Sequence, residues 1–212
     1  MKFRLYSAAM AERIIRRLSP RIKALSERYA IPAPVLQAVL YQEITKIDIL
    51  DVAADLLVRL NWLRLTLRGK LDGELPARLI LWNKLDSSTG YAQIFGRVGI
   101  EAINFALDRG LTTMEALKIP VQRRLDPARP RDLRLVWRLL KRNKGFNLEI
   151  AALNLLSAAE EKTGRIDFSS FSPEELKLIF TRYNGTAKSI SAYGKEAYQH
   201  YLRYTESNKA TV

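Results

Sequence analysis

Cysteine is absent from the chain of 212 residues, and histidine occurs only once, at position 200. The absence of cysteine excludes a disulfide framework, thiol catalysis and thiolate metal sites. A single histidine excludes a metal site with several histidine ligands, and no carboxylate spacing resembles a calcium-binding loop. No glycine-rich nucleotide-binding pattern occurs either. We therefore expect no metal and no cofactor.

The sequence also has no run of about 18 uncharged apolar residues, which a membrane-spanning helix needs. The apolar stretch from Leu5 to Met10 is too short for a signal peptide, and Glu12 and Arg13 interrupt it. We therefore expect no membrane span, and synthesis in the cytoplasm without a signal peptide.

Positive charge is what the sequence has in excess. The chain carries 35 Lys and Arg against 22 Asp and Glu, which gives a net charge of +13. This charge predicts attraction to polyanions such as nucleic acid, anionic membranes or bacterial envelopes. The basic helix faces at 13–28 and 131–144 indicate either ordinary solvated surfaces or adhesion to an anionic cell wall.

Helical periodicity extends over almost the whole chain, so we predict a mainly α fold. One domain is expected over 1–204, followed by a frayed polar tail at 205–212. The N-terminal helix, 8–29, is expected to bend or break at Pro20. Further helical residues are expected between about 46 and 84.

The segment 86–96 breaks this helical pattern. Turn-forming residues there are combined with alternating Tyr91, Gln93 and Phe95, so a small β-hairpin is the most that we predict. Gly90 is followed three residues later by Gln93 in the same turn-rich setting.

Glu43 lies at the end of an apolar helical stripe. Four apolar residues between 35 and 40 occupy one arc of a helix, and Glu43 falls inside the same arc. A carboxyl group there points toward the core or a cleft wall, where desolvation raises its pKa. A general acid that works near neutral pH needs such a raised pKa. The alternative is that Glu43 turns to solvent, or pairs with Lys46 or an arginine.

Three further motifs follow along the chain. Asn147-Leu148 opens a helix of small residues, Tyr183-Asn184-Gly185 ends another helix, and Tyr193-Gly194 comes shortly afterwards. In this order, with Glu43 and the Gly90 to Gln93 motif, they resemble the lysozyme-like superfamily, which includes soluble lytic transglycosylases and goose-type lysozymes. The resemblance implies a lysozyme-like helical domain, with extra basic helices, that cleaves peptidoglycan.

The resemblance also implies a role for each motif. Glu43 would protonate the glycosidic oxygen between N-acetylmuramic acid and N-acetylglucosamine, and Tyr183 would lie near Glu43 and position it. Gln93 would lie beside the sugar at the cleavage point, and the backbone around Gly90, Tyr91 and Ala92 would form one wall of the cleft. Asn184 would contact the substrate or fix its own loop, and Asn147 would be a helix cap behind the site. Tyr91, Tyr183 and Tyr193 are also candidates for stacking on sugars.

Two departures from the family pattern affect the site. Ile44 stands where the family has a serine after the catalytic glutamate, so a hydroxyl would have to come from elsewhere, with Thr45 as the nearest candidate. Tyr91 and Ala92 replace the usual Leu-Met, which would reshape the sugar-binding wall.

Glycoside hydrolysis commonly uses a second carboxylate. Asp48, Asp51 and Asp86 are candidates, and Asp86 is preferred because it shares the turn-rich segment of Gln93. Its alternative role is a turn-forming or capping aspartate. Without a second carboxylate, Glu43 alone suffices if the 6-hydroxyl of the sugar attacks and gives a 1,6-anhydro product.

These patterns predict a muramidase that acts on the cell wall, in the periplasm or in the envelope of a target cell. An antibacterial effector or endolysin domain fits best, with peptidoglycan as substrate and an immunity protein as the partner that such an effector implies. The alternative is a non-catalytic basic helical module that binds nucleic acid or cell wall. Nucleic acid is the less favoured partner because no helix-turn-helix or zinc pattern accompanies the charge.

Overall fold

A computed structural model of the protein describes residues 4–69, 71 and 85–210. The described residues are mainly helical, and they contain no β-strand, so the predicted mainly α fold class is confirmed. The helices in chain order are α1 (Ala8–Tyr29), α2 (Ala33–Lys46), α3 (Ile49–Leu67), α4 (Gly96–Asp108), α5 (Pro130–Arg142), α6 (Lys144–Thr163), α7 (Pro173–Asn184) and α8 (Ala192–Lys209).

The chain divides into two compact units, and each unit contains two separate segments of the sequence. Unit 1 consists of Met1–Leu5 and Ile47–Ile150, and unit 2 consists of Tyr6–Lys46 and Ala151–Val212. The division between Ile150 and Ala151 falls inside α6, which has no linker-like composition.

Unit 2 is a helical cluster in which α2 packs against α1 and α8, and α8 packs against α7. Helix α7 buries apolar side chains along one face, because those residues recur at the helical period. Helix α2 is buried on all sides, since nearly every residue from Val35 to Ile44 is buried. Gly194 makes the close approach of α7 and α8 possible. A Cβ atom at this position would overlap the backbone carbonyl oxygen of Lys177 and the hydroxyl of Thr181.

Unit 1 is built around the packing of α4 on α5. Gly99 lies at this contact, where an added Cβ atom would be 3.0 Å from Val136 Cγ1 and 3.2 Å from Leu140 Cδ1. The start of α3 is fixed by a capping box in which Asp48 and Asp51 bind the backbone N–H groups of the first turn. Two of the candidate second carboxylates therefore serve as helix caps.

Several predicted boundaries differ from the observed ones. Helix α1 continues through Pro20 without interruption, because its buried apolar face stabilises the helix despite the missing backbone hydrogen bond. Helix α8 continues to Lys209, beyond position 205 where the frayed tail was expected to begin. The helical segment expected between about 46 and 84 contains α3, and its residues 70 and 72–84 lie outside the described residues.

The predicted hairpin is reduced to one isolated antiparallel bridge between Thr89 and Ile94. The Thr89 N–H donates to the Ile94 carbonyl at 3.1 Å, and the Ile94 N–H donates back at 3.2 Å. This pair of hydrogen bonds closes the loop 90–93. The turn-forming residues therefore do form a turn, as predicted, although no strand extends from it.

Candidate functional site

The carboxyl group of Glu43 is buried in the last turns of α2. Glu43 is 8% exposed and lies among core residues of the same helix, as the apolar stripe predicted. Its Oε1 accepts a hydrogen bond from the hydroxyl of Tyr193, which α8 contributes from 150 positions further along the chain. Glu43 therefore points inward in unit 2, and the solvent-facing alternative does not apply.

Two buried tyrosines surround this carboxyl group. Burial raises the pKa of the Tyr193 and Tyr183 hydroxyls well above the usual value, and the negative charge of Glu43 raises both further. Each phenol consequently keeps its proton, and Tyr193 remains a donor toward Glu43. A donor held in this way favours the carboxylate form of Glu43, whereas burial favours the neutral acid form of the same group.

Tyr193 supplies the hydroxyl group that the sequence lacked next to Glu43. Ile44 is fully buried and belongs to the core. The Thr45 hydroxyl donates to the carbonyl oxygen of Tyr41 at 2.8 Å, one turn back in its own helix. The expectation that Thr45 replaces the missing serine is therefore wrong, because its hydroxyl bonds within the helix.

Polar side chains at the end of α2 bind Glu196 of α8, and one of them also lies over the Tyr193 ring. Gln42 Nε2 donates to Glu196 Oε2 at 2.6 Å, and Lys46 Nζ lies 3.2 Å from the same oxygen. The Lys46 ammonium is also 4.6 Å from the centre of the Tyr193 ring. This packing gives Tyr193 a positioning role, and only 6% of its surface is exposed for contact with a ligand.

The glycine–glutamine motif forms a tight loop in unit 1. Gly90 has φ +73°, which favours glycine, and Gln93 adopts φ +46°. Gln93 Nε2 donates to the Gly90 carbonyl at 2.7 Å, and its Oε1 accepts from the Ser88 hydroxyl at 3.1 Å. The Gln93 side chain thus stabilises its own loop, while Tyr91 is half-buried with the Lys144 ammonium 5.4 Å from its ring centre.

The buried side chain of Asn147 forms two hydrogen bonds with the backbone of this loop. It is 1% exposed; its Oδ1 accepts from the Ala92 N–H at 2.9 Å, and its Nδ2 donates to the Thr89 carbonyl at 3.1 Å. A Cβ atom at Gly90 would overlap the Asn147 amide. The expectation that Asn147 caps a helix is wrong, because α6 already begins at Lys144. Its buried amide instead satisfies backbone groups of the loop.

Both carboxylate oxygens of Asp86 bind backbone N–H groups at the start of α4. Oδ1 accepts from Gly96 at 2.7 Å, and Oδ2 accepts from Arg97 at 2.9 Å. Burial raises the pKa of Asp86, and these two backbone hydrogen bonds oppose the increase. The contacts are those of a helix-capping aspartate, which is the alternative role considered from the sequence.

A buried polar cluster around Asp55 was missed at the sequence level. Asp55 accepts from the Ser87 hydroxyl at 2.6 Å and from the Thr89 hydroxyl at 3.2 Å, and it forms an ion pair with Lys141. Ser87 in turn accepts from Trp137 Nε1 at 3.0 Å. The cluster anchors the turn-rich segment to α3 and α5. The sequence feature that could have indicated this cluster is Asp55 itself, a single aspartate within an apolar helical pattern.

The predicted site residues fall into two groups. Unit 2 contains Glu43, Tyr183 and Tyr193 in one buried set, and it also contains Asn184, which is exposed at the end of α7. Unit 1 contains the others, Asp86, Gly90, Tyr91 and Gln93. The shared cleft expected from the sequence would draw on both groups and stays a prediction.

Comparisons with known proteins identify no relative: no family model matches the chain, and neither a curated protein nor a solved structure matches it. The helices that the structure describes are all too short or too polar to cross a membrane. Within the described ranges, no three carboxylate or histidine side chains are grouped as metal ligands.

Proposed function

We propose that the protein is a peptidoglycan-cleaving muramidase in which Glu43 is the general acid. The observation that supports this most directly is the buried Glu43 carboxyl group held by the Tyr193 hydroxyl. A general acid must be fixed in position and partly shielded from water, and both conditions hold for Glu43. The ordered motifs that resemble lysozyme-like enzymes give this carboxyl group its proposed substrate.

In the proposed reaction, Glu43 transfers its proton to the glycosidic oxygen as the bond from C1 to that oxygen breaks. The resulting carboxylate then removes a proton from the attacking hydroxyl, whose oxygen forms the new bond to C1. Glu43 is protonated again at the end, so one carboxyl group serves as acid and then as base. Tyr193 and Tyr183 would orient it during both steps.

The Asp86 contacts favour a route that needs no second carboxylate. Both oxygens of Asp86 already accept backbone hydrogen bonds at the start of α4, which gives this carboxylate a structural role. Attack by the 6-hydroxyl of the same sugar needs no second carboxylate and gives a 1,6-anhydro product. We therefore favour lytic transglycosylation over hydrolysis.

A wall-degrading activity fits an antibacterial effector or an endolysin. Such a protein is made in the cytoplasm and acts on the cell wall, and an effector would require an immunity protein in the cell that makes it. The net charge of +13 supports this proposal because it would attract the enzyme to an anionic envelope.

Digestion of purified cell walls followed by mass spectrometry of the fragments tests both the activity and the route. We expect 1,6-anhydro products from the wild type and no products from Glu43→Gln. Glu27→Gln, at an exposed position on α1, removes a carboxylate elsewhere and should leave the activity unchanged. Reducing-end products would assign hydrolysis, and equal digestion by wild type and Glu43→Gln would refute the proposal.

The alternative is a nucleic-acid-binding module, which the exposed basic side chains of α1 support. They are Arg13, Arg16, Arg17, Arg21, Lys23 and Arg28. Steeply salt-dependent binding to DNA near physiological ionic strength, without wall cleavage, would favour this function.

A further inference from the structure

A pocket of about 290 Å³ in unit 1 carries an unusual concentration of positive charge. Side chains of α3 and α5 form most of its wall. The residues that matter for its chemistry are Arg59, Arg134, Arg138, Lys141, Arg142 and Trp62. Among the described residues that line it, no carboxylate occurs.

Among the described residues, most of these cations have no counter-charge. Lys141 pairs with Asp55, whereas the four arginines form no ion pair within the described part of the chain. Burial and the neighbouring positive charge of Arg138 both lower the pKa of Arg134. The pocket therefore brings like charges together at a cost in electrostatic free energy, which an anion would reverse.

Trp62 is a further donor-bearing side chain among the residues that line the pocket. Its side chain is 3% exposed and lines the pocket, but its indole N–H has no hydrogen-bond acceptor among the described residues. A buried donor without an acceptor destabilises the fold. The guanidinium and ammonium groups in the wall are donors that an oxyanion can satisfy.

We propose that this pocket binds the phosphate group of a small ligand or of a lipid headgroup. Guanidinium groups bind phosphate oxygens through paired hydrogen bonds, and several arginines can share one phosphate. A pocket of about 290 Å³ has room for one phosphorylated group rather than a nucleic-acid duplex. All of its wall lies in unit 1, so the proposal is independent of the role of Glu43.

Titration calorimetry and tryptophan fluorescence with the full chain test this proposal. The probes are inorganic phosphate, glycerol phosphate, and vesicles of phosphatidylglycerol, with chloride and phosphatidylcholine vesicles as references at constant ionic strength. Saturable binding of the soluble phosphates assigns a soluble ligand. Binding of phosphatidylglycerol vesicles alone, when it depends on the pocket, assigns a lipid headgroup.

Two double variants with the same charge change provide the decisive comparison. Arg138→Gln/Arg142→Gln alters two exposed arginines of the pocket, and Arg13→Gln/Arg17→Gln alters two exposed arginines at the same spacing on α1. We expect the pocket variant to weaken phosphate binding about tenfold or more, since each lost guanidinium removes charged hydrogen bonds. The α1 variant should bind within about twofold of the wild type, because screened charges outside the pocket contribute little.

The proposal fails if phosphate binds no better than chloride, or if both double variants lose affinity equally. Binding of duplex DNA alone, equally affected by both double variants, would also overturn it.

Discussion

The hydroxyl of Tyr193 donates a hydrogen bond to the carboxyl group of Glu43, and this pair joins α8 to α2 at the centre of unit 2. Both side chains are buried, so the bond forms away from competing water. It defines the position of the one carboxyl group to which we assign acid–base chemistry.

Replacing Tyr193 with Phe should therefore reduce both stability and the wall cleavage that we propose. The buried Glu43 carboxyl group loses a donor, which we expect to cost about 1–3 kcal/mol in the free energy of unfolding. Denaturant unfolding and cell-wall digestion measure the two effects. Tyr198→Phe, at a half-buried position on the same helix, is the matched control and should change both by much less. Equal effects from the two variants would show that the bond to Glu43 is unimportant.

Gly90 and Asn147 should be energetically coupled. Gly90→Ala introduces a Cβ atom that overlaps the Asn147 amide at φ +73°, and Asn147→Ala removes the acceptor of the Ala92 N–H. We expect each substitution to destabilise the protein by about 1–3 kcal/mol. The double variant should lose less than the sum, because Asn147→Ala removes the overlap. Strict additivity in a double-mutant cycle would contradict the observed packing.

Lys141→Met should destabilise unit 1 because it leaves the Asp55 charge without its cation. Breaking a fully buried ion pair costs about 3–5 kcal/mol. We expect about 1–3 kcal/mol here, since Ser87 and Thr89 still donate to Asp55. Lys144→Met, at an exposed position nearby in the sequence, is the control for loss of a lysine. An unchanged unfolding free energy for Lys141→Met would exclude a structural role for the pair.

Glu175 should make a pH-dependent contribution to stability. Its hydrogen bonds from the Ser172 N–H and from Arg165 lower its pKa from 4.5 to about 2. Because the folded-state pKa is lower than the unfolded one, this contribution is present above about pH 4.5 and is lost as the pH falls toward 2. Glu175→Gln should be less stable than the wild type at pH 7, and the difference should shrink below pH 4.5. A difference that is constant with pH would contradict this linkage, and carboxyl NMR titration measures the pKa directly.

Gly194→Ala should disturb the packing of α8 on α7. The added methyl group meets the backbone carbonyl of Lys177, which cannot rotate away as a side chain could. We expect a loss of about 1–3 kcal/mol in the free energy of unfolding. Gly185→Ala is a useful comparison, since a Cβ atom there meets no heavy atom within 4 Å. Similar losses for the two variants would show that the helix contact is looser than the structure indicates.

The sequence by itself determined the local features of this protein. Apolar residues at the helical period predicted the mainly α fold and the inward direction of Glu43. These features depend on residues within one or two helical turns, so a local pattern is sufficient to specify them.

Only the tertiary structure decided which distant side chains meet. Tyr193 lies 150 positions from Glu43, and Asn147 lies more than 50 positions from the loop that it holds, so no local spacing could identify either pair. The ion pair of Asp55 with Lys141 and the cationic pocket likewise depend on how α3 and α5 pack. The boundary between the two units falls inside α6, where the composition does not change. Helical periodicity indicates which residues are buried, but it does not identify the neighbours that bury them.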